Sequence, residues 1–166
     1  MTIPPFTYTW IEEGRILIGS IPSTPQDIET LTSMGIKSIL TLTRRNIRDY
    51  PGIAEALDTL HIHQSHFPIP DGGIPEKSIN PVLEFIAVKY NNNLPVYVHC
   101  RGGIGRSGII LQAYYCFYRG KTIEPARDLL RVRRNYEGNA CAADQGSPQK
   151  EWLEALVSSQ KEKNNG

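Results

Sequence analysis

The sequence predicts an α/β fold, a single domain with a central, mostly parallel sheet flanked by helices. Three observations predict it. Short aliphatic and β-branched runs alternate with helical segments through the first two thirds of the chain, as strands and crossover helices do. The run "PVYVHC" enters a glycine-rich loop and then an apolar helix, the order that puts a ligand at a strand's carboxyl end. And 166 residues without internal repeat, linker or composition break suit one domain with a real core.

Each element has a local reason. "RILIGS" (15–20) reads as a short strand. "STPQDIETLTSMG" reads as a helix with Ser23 or Thr24 as N-cap, Pro25 in the first turn and Gly35 closing the end. "IKSILTLT" (36–43) is a strand of β-branched and aliphatic residues. "PGIAEALDTLH" is a second helix, entered through Pro51. "IHQSHFPI" is a weaker strand ending in the turn "PDGG". "PEKSINPVLEFIAVKYNNN" is a third helix, and Pro81 either starts it or kinks it. "GRSGIILQAYYCFYRG" is apolar on most of its surface and reads as a buried helix. "TIEPARDLLRVRRN" is amphipathic, with Ile123, Ala126, Leu129, Leu130 and Val132 inward. "SPQKEWLEALV" makes the last helix from a Ser cap, so residues 1–157 form the domain and 158–166 a polar tail that should fray.

Bulk properties exclude several classes. The net charge is +1, so nothing favours non-specific nucleic-acid or anionic-membrane binding. Three cysteines in no paired pattern argue against a disulfide framework and for a reducing, cytoplasmic setting. The start "MTIPPFTYTW" does not have the pattern of a signal peptide, and no run of about eighteen apolar residues spans a membrane.

The chemistry concentrates in "VHCRGGIGRSG" (98–108), which supports two readings. Gly103-Ile104-Gly105-Arg106-Ser107-Gly108 fits the dinucleotide fingerprint G-x-G-x-x-G. Both readings make the loop a phosphate cradle: Gly102, Gly103, Gly105 and Gly108 let the backbone approach an anion at a helix N-terminus. The nucleotide reading also needs a second parallel strand with an acidic end, later in the chain. The segments after the loop are helical instead, and Glu124 and Asp128 fall inside a helical pattern. The fingerprint also leaves Cys100 and Arg106 without a role.

The second reading uses both. A free thiol titrates near 8.5, so about 3% is thiolate at pH 7. Beside a helix N-terminus and a guanidinium, thiol pKa values fall to ~3.5–7.5, and the thiolate can attack phosphorus. Arg106 offers a planar fork to two phosphoryl oxygens. Backbone and side chains from Arg101 through Gly102, Gly103, Ile104 and Gly105 surround the group. Ser107 can donate to the sulfur and make it a better leaving group, and His99 can orient the loop through its ring N–H groups. A small buried cysteine and an incidental arginine would be the bland alternative, but it explains neither the glycines nor Ser107.

"HCRGGIGRS" matches the signature H-C-x-x-G-x-x-R-[ST] of the cysteine-based protein tyrosine phosphatase superfamily, and the chain resembles its small dual-specificity and archaeal-type tyrosine phosphatase members from about Tyr8 to Val157. "FPIPDGGIP" is similar to their mobile acid loop, which puts Asp71 in the general-acid position; Pro-Asp-Gly is also ordinary turn sequence. "SPQKEWL" resembles the segment carrying a water-positioning glutamine, mapping Gln149, with Gln145 a competing candidate. The resemblance implies a protein tyrosine phosphatase-like fold. It also implies a phosphomonoesterase working through a cysteinyl-phosphate on phosphotyrosine proteins or peptides, with phosphoserine and phosphothreonine as an extension. No cofactor or metal is needed, and a monomer is expected, without nucleic-acid or membrane partner. Two alternatives remain: the same chemistry on inositol phosphates, whose enzymes often carry basic residues at the positions of Arg101 and Ile104, and a phosphate-binding module without turnover.

Weaker signals complete the reading. Arg44, Arg45 and Arg48 come after a strand end on the expected site face and could meet acidic groups beside a phosphosite, although a solvated basic turn is the plainer reading. In a strand His61 and His63 share one face and His66 takes the other, so they do not converge on a metal. Cys141 is a candidate for a protective disulfide with Cys100; Cys116, about 16 Å along the helix by its rise, is too far and belongs to the core.

Overall fold

The computed structural model describes residues 5–70, 73–101, 105–134 and 148–165, with residues 131–134 and 163–165 described in backbone only. Its centre is a five-stranded sheet: β1 (Tyr8–Glu12), β2 (Ile16–Gly19), β3 (Ser38–Thr41), β4 (His63–His66) and β5 (Val96–His99), in the order β1-β2-β5-β3-β4. β5 runs parallel to both β2 and β3, and β3 parallel to β4. The expected α/β, mostly parallel architecture is therefore the one found. Only β1 is antiparallel, and it is the strand that periodicity did not single out. It joins β2 through the tight turn at Gly14 (φ 75°), too short for a crossover, so it can only fold back as a hairpin.

Alternation along the strands divides the core. Ile18, Leu40 and Val98 face one layer, built from α3 (Asn80–Asn91), α4 (Gly105–Tyr118), α5 (Ile123–Arg134) and α6 (Pro148–Asn165). Leu17, Ile39 and Tyr97 face the other, covered by α1 (Pro25–Ser33) and α2 (Ile53–Thr59). A period of two thus sends Cys100 toward the first layer and His99, like Tyr97, toward the second.

Helix ends follow local chemistry. Thr24 caps α1 in a full capping box with Asp27. Pro81 lies in the first turn of α3 and starts it without a kink. α2 begins at Ile53 behind Gly52 (φ 81°), leaving Pro51 in the preceding turn. In α4 every residue from Arg106 to Tyr115 is buried, as expected of a helix enclosed by neighbours on all sides. Among the described side chains of α5, Ala126 and Leu130 are buried, with Ile123 and Leu129 packed beside them; the side chain of Val132 lies outside the described residues. α6 continues to Asn165, although Val157 is its last buried residue among those described.

Candidate active site

β5 ends in the middle of the sheet, where the parallel neighbours β2 and β3 also end. Cys100 comes directly after it and is 3% exposed. α4 starts at Gly105, five residues on, so its N-terminal N–H groups and the positive end of its dipole come shortly after Cys100 along the chain. Two carbonyls pin the entry: the Arg101 carbonyl accepts from the Ile21 N–H (3.2 Å), and the Cys100 carbonyl faces His99.

Arg106, in the first turn of α4, is only 6% exposed. One of its guanidinium nitrogens donates to the Ile69 carbonyl at 3.1 Å. A guanidinium has several N–H donors in a rigid fork, so a bond that fixes one edge is compatible with gripping an anion. Ser107 is fully buried, and its Oγ has no hydrogen-bond partner among the described residues. Gln112 Oε1, further along α4, likewise accepts no hydrogen bond among the described residues; a buried polar atom left so costs free energy.

His99 has no exposed surface. Its Nδ1 lies 3.0 Å from the Cys100 carbonyl and its Nε2 2.9 Å from Thr41 Oγ1. A carbonyl can only accept, so Nδ1 carries the proton and donates. Burial lowers the ring's pKa to about 4, aided by the Arg106 and His66 charges and opposed by the bond to Cys100. The neutral ring therefore accepts at Nε2 from the Thr41 hydroxyl. Its plane stacks on Tyr97 at 5.7 Å.

Gln149, in the first turn of α6, donates from Nε2 to the Gly73 carbonyl at 3.2 Å. The same nitrogen would lie 3.6 Å from a Cβ on Gly105. The last helix thus lays its amide over the start of α4. Ile69 and Gly73 are the shoulders of "PDGG", and both touch the site, one through Arg106 and one through Gln149.

The structure sets His99 against the Cys100 carbonyl and within reach of the Arg106 charge, and Gln149 against Gly105; Ser107 follows Arg106 in the first turn of α4. Arg101 is held through its backbone, its side chain being exposed. Asp71, Gly102, Gly103, Ile104, Gln145 and Cys141 lie outside the described residues. Sequence reasoning missed Thr41 and the Ile69 and Gly73 carbonyls. Thr41 had a signal, a polar residue inside an otherwise apolar strand; backbone carbonyls have none. The basic turn divides: Arg44 is exposed, Arg45 stacks on Tyr50 at 4.1 Å and Arg48 pairs with Asp58 at 3.4 Å. His63 packs on Phe85 and His66 Nε2 donates to the Thr43 carbonyl, while His61 lies at positive φ in a turn. Cys116 is half-buried against the core, where burial raises its thiol's pKa.

Comparison with known proteins finds the same fold. The family described as "Swiss Army Knife protein, DSP-PTPase phosphatase domain" matches residues 5–161. Cyclin-dependent kinase inhibitor 3 of Sus scrofa is 31% identical over 112 residues, 65% of this chain and 52% of that protein. The chain spans about half the length of the curated relatives it first matches. Kinase associated phosphatase with its catalytic-site cysteine changed to serine superimposes with a TM-score of 0.77 at 21% identity, covering 96% of this chain and 97% of that one. Tk-PTP in its active form gives 0.73 at 21% identity, covering 91% and 96%. Among the described residues no helix is long and apolar enough to cross a membrane.

Proposed function

The chain belongs to the DSP-PTPase phosphatase family, and on that premise we propose that it is a phosphomonoesterase acting on phosphorylated proteins or peptides through a Cys100 phosphoenzyme. What supports the reading is that buried Cys100 directly follows β5 and that buried Arg106 stands in the first turn of the helix that starts at Gly105. The thiolate attacks phosphorus, and the S–P bond forms as the ester P–O bond breaks. The N–H groups of α4 and the Arg106 fork take the charge that spreads over the equatorial oxygens. Asp71 gives its proton to the leaving oxygen and then takes one from the water that cleaves the S–P bond. In support, both shoulders of its loop are tied to site residues. Ser107 Oγ donates to the departing sulfur, and Gln149 positions the water.

We take phosphotyrosine as the first substrate and phosphoserine or phosphothreonine as the second. The catalytic unit ends near Val157, the last buried residue described, ahead of the polar 158–166 segment. A cytoplasmic monomer is proposed, in keeping with three unpatterned cysteines and a net charge of +1. The test is hydrolysis of p-nitrophenyl phosphate in chelator, then of phosphopeptides against inositol polyphosphates. Turnover must vanish in Cys100→Ser, and a substituted enzyme of unchanged rate ends the mechanism. Preference for inositol phosphates would move the substrate class and leave the chemistry intact. Phosphate binding without release of p-nitrophenol would identify a module without turnover.

A further inference from the structure

We propose that Gln64, on β4 and anchored by Arg48, is a positioning residue for the Cys100 loop, acting through Thr41 and His99. The inference rests on the reading of Cys100 as the nucleophile. Its basis is a continuous hydrogen-bonded chain on one face of the sheet. Arg48 Nε donates to Gln64 Oε1 at 3.3 Å. Gln64 Nε2 donates to Thr41 Oγ1 and to Asn46 Oδ1, both at 3.0 Å. Thr41 and His99 continue it to the Cys100 carbonyl. Ile39 pairs with both Gln64 and Tyr97, so Gln64, Thr41 and His99 share the face opposite to the one Cys100 joins. The chain therefore reaches the nucleophile from behind.

Its proton directions are fixed at both ends. A guanidinium only donates, so Gln64 Oε1 must face Arg48. The Arg48 backbone N–H also donates, to Asn46 Oδ1 at 3.1 Å, so that oxygen must accept from Gln64 as well. The Gln64 amide thus has one orientation, with its N–H groups toward Thr41. Thr41 Oγ1 accepts there and has one O–H left, which goes to His99 Nε2. The Cys100 carbonyl at the far end only accepts, from Nδ1–H. With the ring kept neutral by burial, these directions form one unbroken donor-to-acceptor chain from Arg48 to the Cys100 carbonyl. The groups facing the ring otherwise are Tyr97, stacked on it, and the Arg106 and His66 charges, which both oppose a second proton. The consequence for the loop comes from the planar peptide: holding the Cys100 carbonyl toward His99 turns the Arg101 N–H the opposite way. Arg48 continues outward to Asp58 Oδ1 at 3.4 Å, so the chain ends on the surface.

Gln64→Glu tests this with the shape kept and the Arg48 contact retained. A carboxylate cannot donate, so the Thr41 O–H turns to it, and Thr41 Oγ1 then accepts from His99 Nε2–H. His99 must hold two protons or release the Cys100 carbonyl. Three readouts should move together. The His99 ring 15N shifts should pass from one protonated nitrogen to two, or to the other tautomer. Iodoacetate alkylation of Cys100, read on its own peptide against pH, should slow. The kcat on p-nitrophenyl phosphate should fall about tenfold with KM nearly unchanged, the worth of one well-made hydrogen bond. Unchanged ring shifts and alkylation profile in a folded Gln64→Glu would overturn the proposal. If that variant does not fold, Arg48→Met at the partly exposed end decides by the same readouts, with smaller shifts expected and none refuting. Alkylation and 15N shifts need no turnover, so an unaltered chain inactive on every phosphoester would sink the functional reading separately.

Discussion

Acidification should destabilise this protein through His99, by an amount the site itself sets. In the unfolded chain the ring titrates near 6.5; in the fold, burial lowers that value to about 4. Between the two the unfolded state binds a proton that the folded state refuses. Stability is therefore intact above about pH 6.5 and is lost as pH falls toward 4. Integrated from about pH 7.5 to about pH 5, the loss attributable to this ring is about 2 kcal/mol, approaching about 3 kcal/mol near pH 4. The other histidines and the carboxylates add slopes of their own, so the measurement is a difference. Urea unfolding is monitored in the unaltered chain and in His99→Asn, which cannot titrate and can still donate toward the Cys100 carbonyl. The variant begins less stable, and its deficit should narrow by about 2 kcal/mol over that interval. Parallel stability curves would show that His99 is not held neutral, and the proton directions deduced for the Thr41–His99–Cys100 chain would fail with it.

Other contacts carry outcomes of their own. Arg106→Lys keeps the charge and loses both the planar fork and the grip on the Ile69 carbonyl; kcat on p-nitrophenyl phosphate should fall about 10²–10³-fold, and a rate within a few-fold of the original would contradict the assignment. Gln149→Ala releases Gly73 and leaves Cys100 untouched, so stopped-flow should reveal a p-nitrophenol burst as phosphoenzyme hydrolysis becomes limiting; equal slowing of burst and steady state would refute a role confined to the second step. At Gly19 a Cβ would fall on the Thr7 carbonyl and the Tyr97 hydroxyl. Gly19→Ala should cost about 1–3 kcal/mol and lower Tm by about 3–10 °C on circular dichroism, and an unchanged Tm would show that β1 yields freely.

Much of the site was legible because its chemistry is contiguous. Cys100, Arg106 and Ser107 sit within eight residues, on a strand, turn and helix whose local propensities agree. Gln149 was legible only through resemblance, because nothing in an amphipathic helix says which end meets a loop 76 residues earlier. The hairpin strand β1 escaped because its residues are only half covered, and half-covered edge strands have weak periodicity. Cys116, expected in the core, packs against its margin and is half-buried, lining a cavity with Ile123 of α5 and Val157 of α6.

The sequence alone determined the alternation of strands and helices from β2 onward, the mostly parallel sheet and the strand-turn-helix run that carries Cys100, since hydrophobic period, capping and glycine placement all act within a few residues. Only the tertiary structure decided how that turn is held. Strand order placed Thr41 beside His99 and Gln64 beside Thr41. Chain reversal brought Ile69 to Arg106, and packing of α6 set Gln149 against Gly73. These contacts join residues 23 to 76 positions apart, and hydrogen-bond direction is a property of neighbours in space, which no local pattern encodes.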